Sequence, residues 1–150
     1  MPRLTKPVLN LPEFEEFQSH NVRGTLSTYA WMLLSPDLFI GTFELLNPTF
    51  KYYNGSLFFA SISEANIDEW YNHFRGDMHQ VELMCNHRHV CGLIQLTAVH
   101  GAATVKYVAE IFAKYWRIAI TDQFPDSDVV VEIDGDDDDC TIYIYRPVHA

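Results

Sequence analysis

Asp128-Val-Val-Val-Glu-Ile-Asp134 and Cys140-Thr-Ile-Tyr-Ile-Tyr145 flank an acidic run, Gly135-Asp-Asp-Asp-Asp139. Two β-branched and aromatic segments around a glycine-containing polar run predict a β-hairpin. Nine carboxylates and no lysine or arginine lie between Asp122 and Cys140. Because like charges repel one another and slightly destabilise the folded state, packing alone does not account for them. We therefore predict that the hairpin tip binds a basic surface or a cation; the alternative is a turn whose charges are only solvated by water.

Outward from this hairpin, the sequence predicts a single α+β domain over residues 1–150, with an extended lead-in at 1–11. Antiparallel β-hairpins are expected to form a sheet with helices packed against it. Asn54-Gly55 suits a two-residue hairpin turn between strands at 49–53 and 56–60. Helices are predicted to start at Pro12 and to run from Thr25 to Leu34, from Glu64 (capped by Ser63) to about Phe74, and from Ala102 to Trp116. Further strands are predicted at 80–85 and 90–97, and the segment 39–43 is compatible with either state.

Composition narrows the class of protein. The chain has 150 residues, 48% of them hydrophobic, and a formal net charge of −10. That charge should repel nucleic acid backbones and favour cationic partners, so direct DNA or RNA binding is not expected. No apolar run approaches the length of a membrane span, and three cysteines show no pattern typical of a secreted disulfide scaffold. We expect a soluble cytoplasmic protein without membrane contact.

Cys85, His87, His89 and Cys91 form a string of zinc-binding residue types. On an extended strand these ligands would spread over about 20 Å, too far for one metal ion. A tight turn at 86–89 could gather two or three of them, with His79 as a further ligand. The alternative is a polar turn followed by core cysteines. No metal site is predicted, and these four residues are kept as weak candidates.

The run from Asp134 to Asp139 does not match a calcium-binding loop. Its glycine is second, and the twelfth position from Asp134 is Tyr145 instead of glutamate. Motifs typical of phosphate-binding loops, dinucleotide folds, zinc proteases and serine hydrolases are absent from the sequence. We therefore predict a non-enzymatic protein without catalytic residues or cofactor. A small zinc- or thiol-dependent enzyme that uses the Cys/His string is the alternative from another class.

Aromatic residues are frequent on the predicted strands. Alternation should point half of each set into the core, while the other half could build a partner-binding face, since tyrosine is enriched at interfaces. The residues concerned are Tyr52, Tyr53, Phe58, Phe59, Tyr143 and Tyr145.

A family resemblance extends over roughly residues 25–134. The matching pieces are, in chain order, Tyr29-Ala-Trp31, Ser35-Pro36-Asp37, Gly41-Thr-Phe43, Tyr53 to Ala60, Cys91 to Ala98, Gly101-Ala102, Asp122 to Pro125 and Ile133-Asp134. In this order they resemble the ArdB/KlcA antirestriction family of plasmids and other mobile genetic elements. The resemblance implies a small cytoplasmic α+β protein that relieves type I DNA restriction without being an enzyme.

Together these features predict an acidic inhibitor that counters a defence or toxic nuclease by protein–protein binding. Its partner is expected to be a basic protein, a nuclease or a restriction-system subunit. An immunity protein for a secreted nuclease toxin is the alternative, because such inhibitors cover surfaces that attract phosphates. The predicted partner-binding residues are Asp128, Glu132, Asp134, Asp136, Asp137, Asp138 and Asp139.

Overall fold

Short helices alternate with two small antiparallel sheets. The computed structural model describes residues 4, 6–96, 98–135 and 140–148. In chain order these residues form α1 (Pro12–His20), α2 (Leu26–Leu33), α3 (Pro36–Leu46), β1 (Phe50–Tyr53), β2 (Ser56–Phe59), α4 (Glu64–His73), α5 (Met78–Asn86), β3 (Arg88–His89), α6 (Val90–Leu93), α7 (Gly101–Gln123), β4 (Val130–Asp134) and β5 (Thr141–Tyr145). The predicted α+β class is confirmed.

The strands form two separate sheets. β1 and β2 make a hairpin with Phe50 opposite Phe59, and its turn residues Asn54 and Gly55 have positive φ angles of 49° and 80°. The predicted Asn-Gly turn is thus confirmed. The second sheet has the order β3-β5-β4, and β4 pairs with β5 as the predicted acidic hairpin.

Helix α7 organises the main core. It begins at Gly101 and ends at Gln123, beyond the predicted Ala102 to Trp116. The Trp116 ring contacts Phe59 edge-on at a centroid distance of 5.2 Å and Phe112 at 5.6 Å. The buried residues packed with them come from both sheets and from α6: Phe50, Leu57, Val90, Val131, Cys140, Ile142 and Ile144.

Strand β2 lies between this core and a second apolar cluster. Its odd-numbered residues Leu57 and Phe59 belong to the α7 cluster, whereas Phe58 packs on the other side with Ile67 of α4 and Val81 of α5. All four residues of β2 are buried. Phe58 and Phe59 are neighbours, and both are buried because helices cover both faces of the strand, so neither contributes to a partner-binding face.

The first three helices are positioned by caps and by a few anchors. Thr25 caps α2 and Ser35 caps α3 through their side-chain oxygens, which explains why Ser35-Pro36 redirects the chain into a new helix. The Trp116 indole donates a hydrogen bond to the Leu45 carbonyl at 2.9 Å. No residue described in α1, α2 or α3 is buried. Among the helices that the structure describes, none is long and apolar enough to cross a membrane.

The strand predictions at 80–85 and 90–97 are wrong. Residues Met78–Asn86 form α5, and Val90–Leu93 form the short helix α6. The alternation of Val81 and Cys85 with polar neighbours is typical of a strand. In the structure, however, the interleaved Glu82 is itself buried at 2% exposure. When a helix buries a polar residue, the spacing of its hydrophobic residues alone does not show the 3.6-residue period.

Candidate functional site

The outer face of the three-stranded sheet carries several of the predicted binding residues. The register of β4 and β5 places Glu132 opposite Tyr143 and Asp134 opposite Thr141. Because side chains alternate across a sheet, Glu132, Asp134, Tyr143 and Tyr145 project from one side, which we call the outer face. The opposite side carries buried core residues, namely Val131, Ile142 and Ile144.

A hollow of about 350 Å³ lies on the outer face. The Tyr145 hydroxyl donates a hydrogen bond to the Glu132 carboxylate. That bond and, after it, burial raise the pKa of Tyr145, because the bond requires the protonated phenol. The bond ties the exposed Glu132 carboxylate to the opposing strand at the rim of the hollow. The hollow is lined by His79, Leu83, Glu132, Asp134, Tyr143 and Tyr145.

A second hollow of about 270 Å³ adjoins the first and shares Leu83 and Tyr143 with it. The rings of His87 and His89 meet edge-on in its wall, with centroids 5.3 Å apart. The His89 Nδ1 atom lies 3.0 Å from the hydroxyl of Thr141. The two hollows therefore form one continuous surface of imidazole, phenol and carboxylate groups with apolar walls.

Helix α5 is anchored to both sheets by two buried polar residues, Glu82 and Asn86. Glu82 accepts hydrogen bonds from the backbone N–H and from the Nε of Arg146, at 2.9 and 3.3 Å. The Asn86 amide donates to the carbonyls of Leu57 and Ile144, at 2.7 and 3.1 Å. These bonds cross-link β2, β5 and α5, and so determine where α5 presents His79 and Leu83 to the outer face.

The Cys/His string is dispersed by this arrangement. Cys85 is buried in the cluster around Phe58, Cys91 is exposed, and His87 and His89 line the smaller hollow. The described residues contain no group of three or more His, Cys, Asp or Glu side chains placed to hold a metal ion. Burial raises the pKa of the Cys85 thiol, and the nearby Arg88 opposes this only in part. A protonated, buried thiol is a poor nucleophile.

The predicted acidic residues are brought together only in part. Glu132 and Asp134 are both exposed and share the larger hollow. Asp128 is also exposed, but it precedes β4 and lines a separate hollow of about 200 Å³ with Arg146. The predicted residues Asp136, Asp137, Asp138 and Asp139 lie outside the described residues.

Leu83 was not among the predicted site residues, and His79 was considered only as a further zinc ligand. Leu83 lies in both hollows and His79 in the larger one. Their spacing of four residues places them on one helical face, but that signal exists only once residues 78–86 are recognised as a helix. The misassigned strand at 80–85 therefore concealed half of the surface.

Comparison with known proteins gives no match to this chain among protein-family models, curated proteins or solved structures.

Proposed function

We propose that this chain is a non-enzymatic binding protein that inhibits a nuclease or restriction-system subunit by covering a basic surface with its outer face. The observation that carries the proposal is the placement of the exposed Glu132 and Asp134 beside Tyr143 and Tyr145 around one hollow. Such a surface presents negative charge and aromatic contact area to the same partner.

The chemistry of these groups suits a cationic protein surface. Tyrosine is enriched in interface cores because it contributes a large contact area with one polar atom. Carboxylates at the rim attract Lys and Arg side chains and accelerate encounter with a positively charged partner. Nuclease surfaces carry such charges because they bind phosphates. The net charge of −10 would add to this attraction.

The restriction-relieving version comes first because of the resemblance to the ArdB/KlcA family. The immunity-protein version would use the same outer face against a nuclease toxin. In either version the protein acts in the cytoplasm and needs no cofactor. Its contact residues are Glu132 and Asp134, with Asp128 and Asp136 to Asp139 as further candidates.

A restriction assay separates the two versions. Bacteria with an active type I restriction system and an unmodified phage would be compared with and without expression of the chain. We expect a higher plating efficiency of the phage in expressing cells. The same efficiency with and without the chain would contradict the restriction-relieving version, and co-purification with a toxin nuclease from the native host would support the immunity version.

The role of the outer face is tested with the captured partner. We expect the double variant Glu132→Gln, Asp134→Asn to associate about tenfold more slowly at low salt and to show a weaker salt dependence. The matched control is Asp37→Asn, Glu44→Gln, which removes the same charge from exposed positions of α3. Equal rates for the two double variants would show that the outer face is not the interface.

A further inference from the structure

Among the described residues, most of the exposed large apolar side chains lie on helices α2 and α3 and in the turn between them. Trp31 of α2 is 79% exposed and Phe39 of α3 is 61% exposed. The other large apolar residues on these helices and in the turn between them are also exposed, by 41% or more, and we call the whole set the apolar patch: Trp31, Met32, Leu33, Leu34, Leu38, Phe39, Ile40, Phe43 and Leu45.

The area of the apolar patch exceeds what a monomer normally leaves in water. Nine large side chains at these exposures, distributed around both helices, amount to on the order of 1,000 Å², whereas the largest patch of a typical soluble monomer is about 300–600 Å². A specific protein–protein interface buries about 800 Å² on each partner. The apolar surface exposed by the two helices is therefore comparable in area to one side of such an interface.

The described residues outside the apolar patch leave it exposed, and they contact the two helices mainly through other residues. The rings of Phe14 and Phe17 in α1 pack against Tyr29, at centroid distances of 5.9 and 5.2 Å. On α3, the Leu45 carbonyl accepts the Trp116 indole bond, and Leu46 packs against the main core. These contacts hold the two helices against the domain, while the residues of the apolar patch stay exposed to solvent.

The charges around the apolar patch decide between possible occupants. Between Gly24 and Asn47 the sequence has two acidic residues, Asp37 and Glu44, and no lysine, arginine or histidine. A helix that lies on a membrane surface uses basic residues to reach the head groups, and a chain of charge −10 is repelled by anionic lipid. A strongly basic protein would find little negative charge here to pair with.

A second copy of the chain suits an apolar surface that carries little charge. We propose that the apolar patch is the interface of a symmetric homodimer. In a two-fold interface the same surface meets itself, so an uncharged apolar face is complementary to its own copy without any opposite charge. Two chains of like charge can approach where the contact surface carries little charge, and the two acids of this region, Asp37 and Glu44, are both exposed to water. The apolar patch shares no residue with the outer face, so a dimer presents two outer faces.

Analytical ultracentrifugation of the full chain over a range of concentrations tests the dimer. We expect the wild type to sediment at twice the mass of the 17.3 kDa chain. The variant Phe39→Glu should raise the dimer dissociation constant on the order of 100-fold, because each dimer then contains two charges in its apolar contact. The matched control Val148→Glu, at a position that is 71% exposed outside the apolar patch, should leave the constant within about twofold.

Folding of each variant is checked by circular dichroism, and Phe39→Ser replaces Phe39→Glu if the charged variant does not fold. Trp31 emission should shift to shorter wavelength as the wild type associates, and a Trp31→Phe variant identifies that signal. A wild type that sediments as a monomer at every concentration would overturn the proposal, and so would a Phe39→Glu variant that stays dimeric. Flotation of monomeric wild type with phosphatidylcholine vesicles, with or without phosphatidylglycerol, would overturn it in favour of a lipid surface.

Discussion

The chain divides into an N-terminal part, residues 12–46, and a larger part, residues 50–146. The two parts differ in how far they bury their apolar side chains. In the second part, all four residues of β2 are buried, and α7 and β5 bury the apolar side chains that face the core. Helices α2 and α3 are no less apolar in sequence, yet none of the residues described in them is buried. Hydrophobicity alone therefore does not locate the core.

The physical reason is that the core is built mainly by the other elements, and of α2 and α3 only Leu46 packs against it. α7 covers one face of β2, while α4 and α5 cover the other. The Asn86 amide of α5 adds hydrogen bonds to the carbonyls of Leu57 in β2 and Ile144 in β5. Helices α2 and α3 lie at the edge of this core. Their exposed apolar surface is therefore available for contact with another molecule.

The largest expected difference between the two parts is in the cost of removing a phenylalanine. Phe58→Ala should lower the free energy of unfolding by about 3–5 kcal/mol, because Phe58 is completely buried at 0% exposure. Phe39→Ala, at 61% exposure, should change it by less than about 0.5 kcal/mol in the monomer. Urea unfolding at low protein concentration measures both. Similar losses for the two variants would mean that the N-terminal helices belong to the core.

The next largest effect concerns the buried carboxylate of Glu82. Arg146→Ala should lower the free energy of unfolding by about 2–3 kcal/mol, since it leaves Glu82 without its cation. The cost stays below that of a fully buried pair because the Arg146 side chain is 38% exposed. Arg23→Ala, at an exposed position of the N-terminal part, is the matched control and should be nearly neutral. Equal costs in urea or thermal unfolding would contradict the anchoring of α5 through this pair.

The smallest effect is a pH dependence on the outer face. The folded pKa of Tyr145 lies above its ordinary value of 10.0, so the bond to Glu132 contributes stability that is fully present below pH 10. That contribution is lost as the pH rises through the folded pKa. Glu132→Gln should move the pKa of Tyr145 down towards its ordinary value, as followed by NMR of the tyrosine ring. Glu44→Gln is the control, and an identical Tyr145 titration in both variants would show that Glu132 is not held by this bond.

Local patterns predicted much of the fold. Asn54-Gly55 specifies a turn with positive φ, Ser63 has the chemistry of a helix cap, and α7 has a clear 3.6-residue period. Each of these signals depends on residues within a few positions of one another. The prediction for residues 80–85 was wrong because the partners of Glu82 and Asn86 lie far along the chain, at Arg146, Leu57 and Ile144.

The sequence by itself determined the α+β class, the acidic hairpin and the exposed carboxylates of Glu132 and Asp134, because turn residues, strand alternation and charge act locally. Only the tertiary structure decided that His79 and Leu83 join them around one hollow, and that the apolar residues of α2 and α3 lie at the surface. Whether a side chain is buried, and which side chains lie beside it, depends on contacts between elements that are far apart in the sequence. Such contacts leave no periodic signal in any one segment.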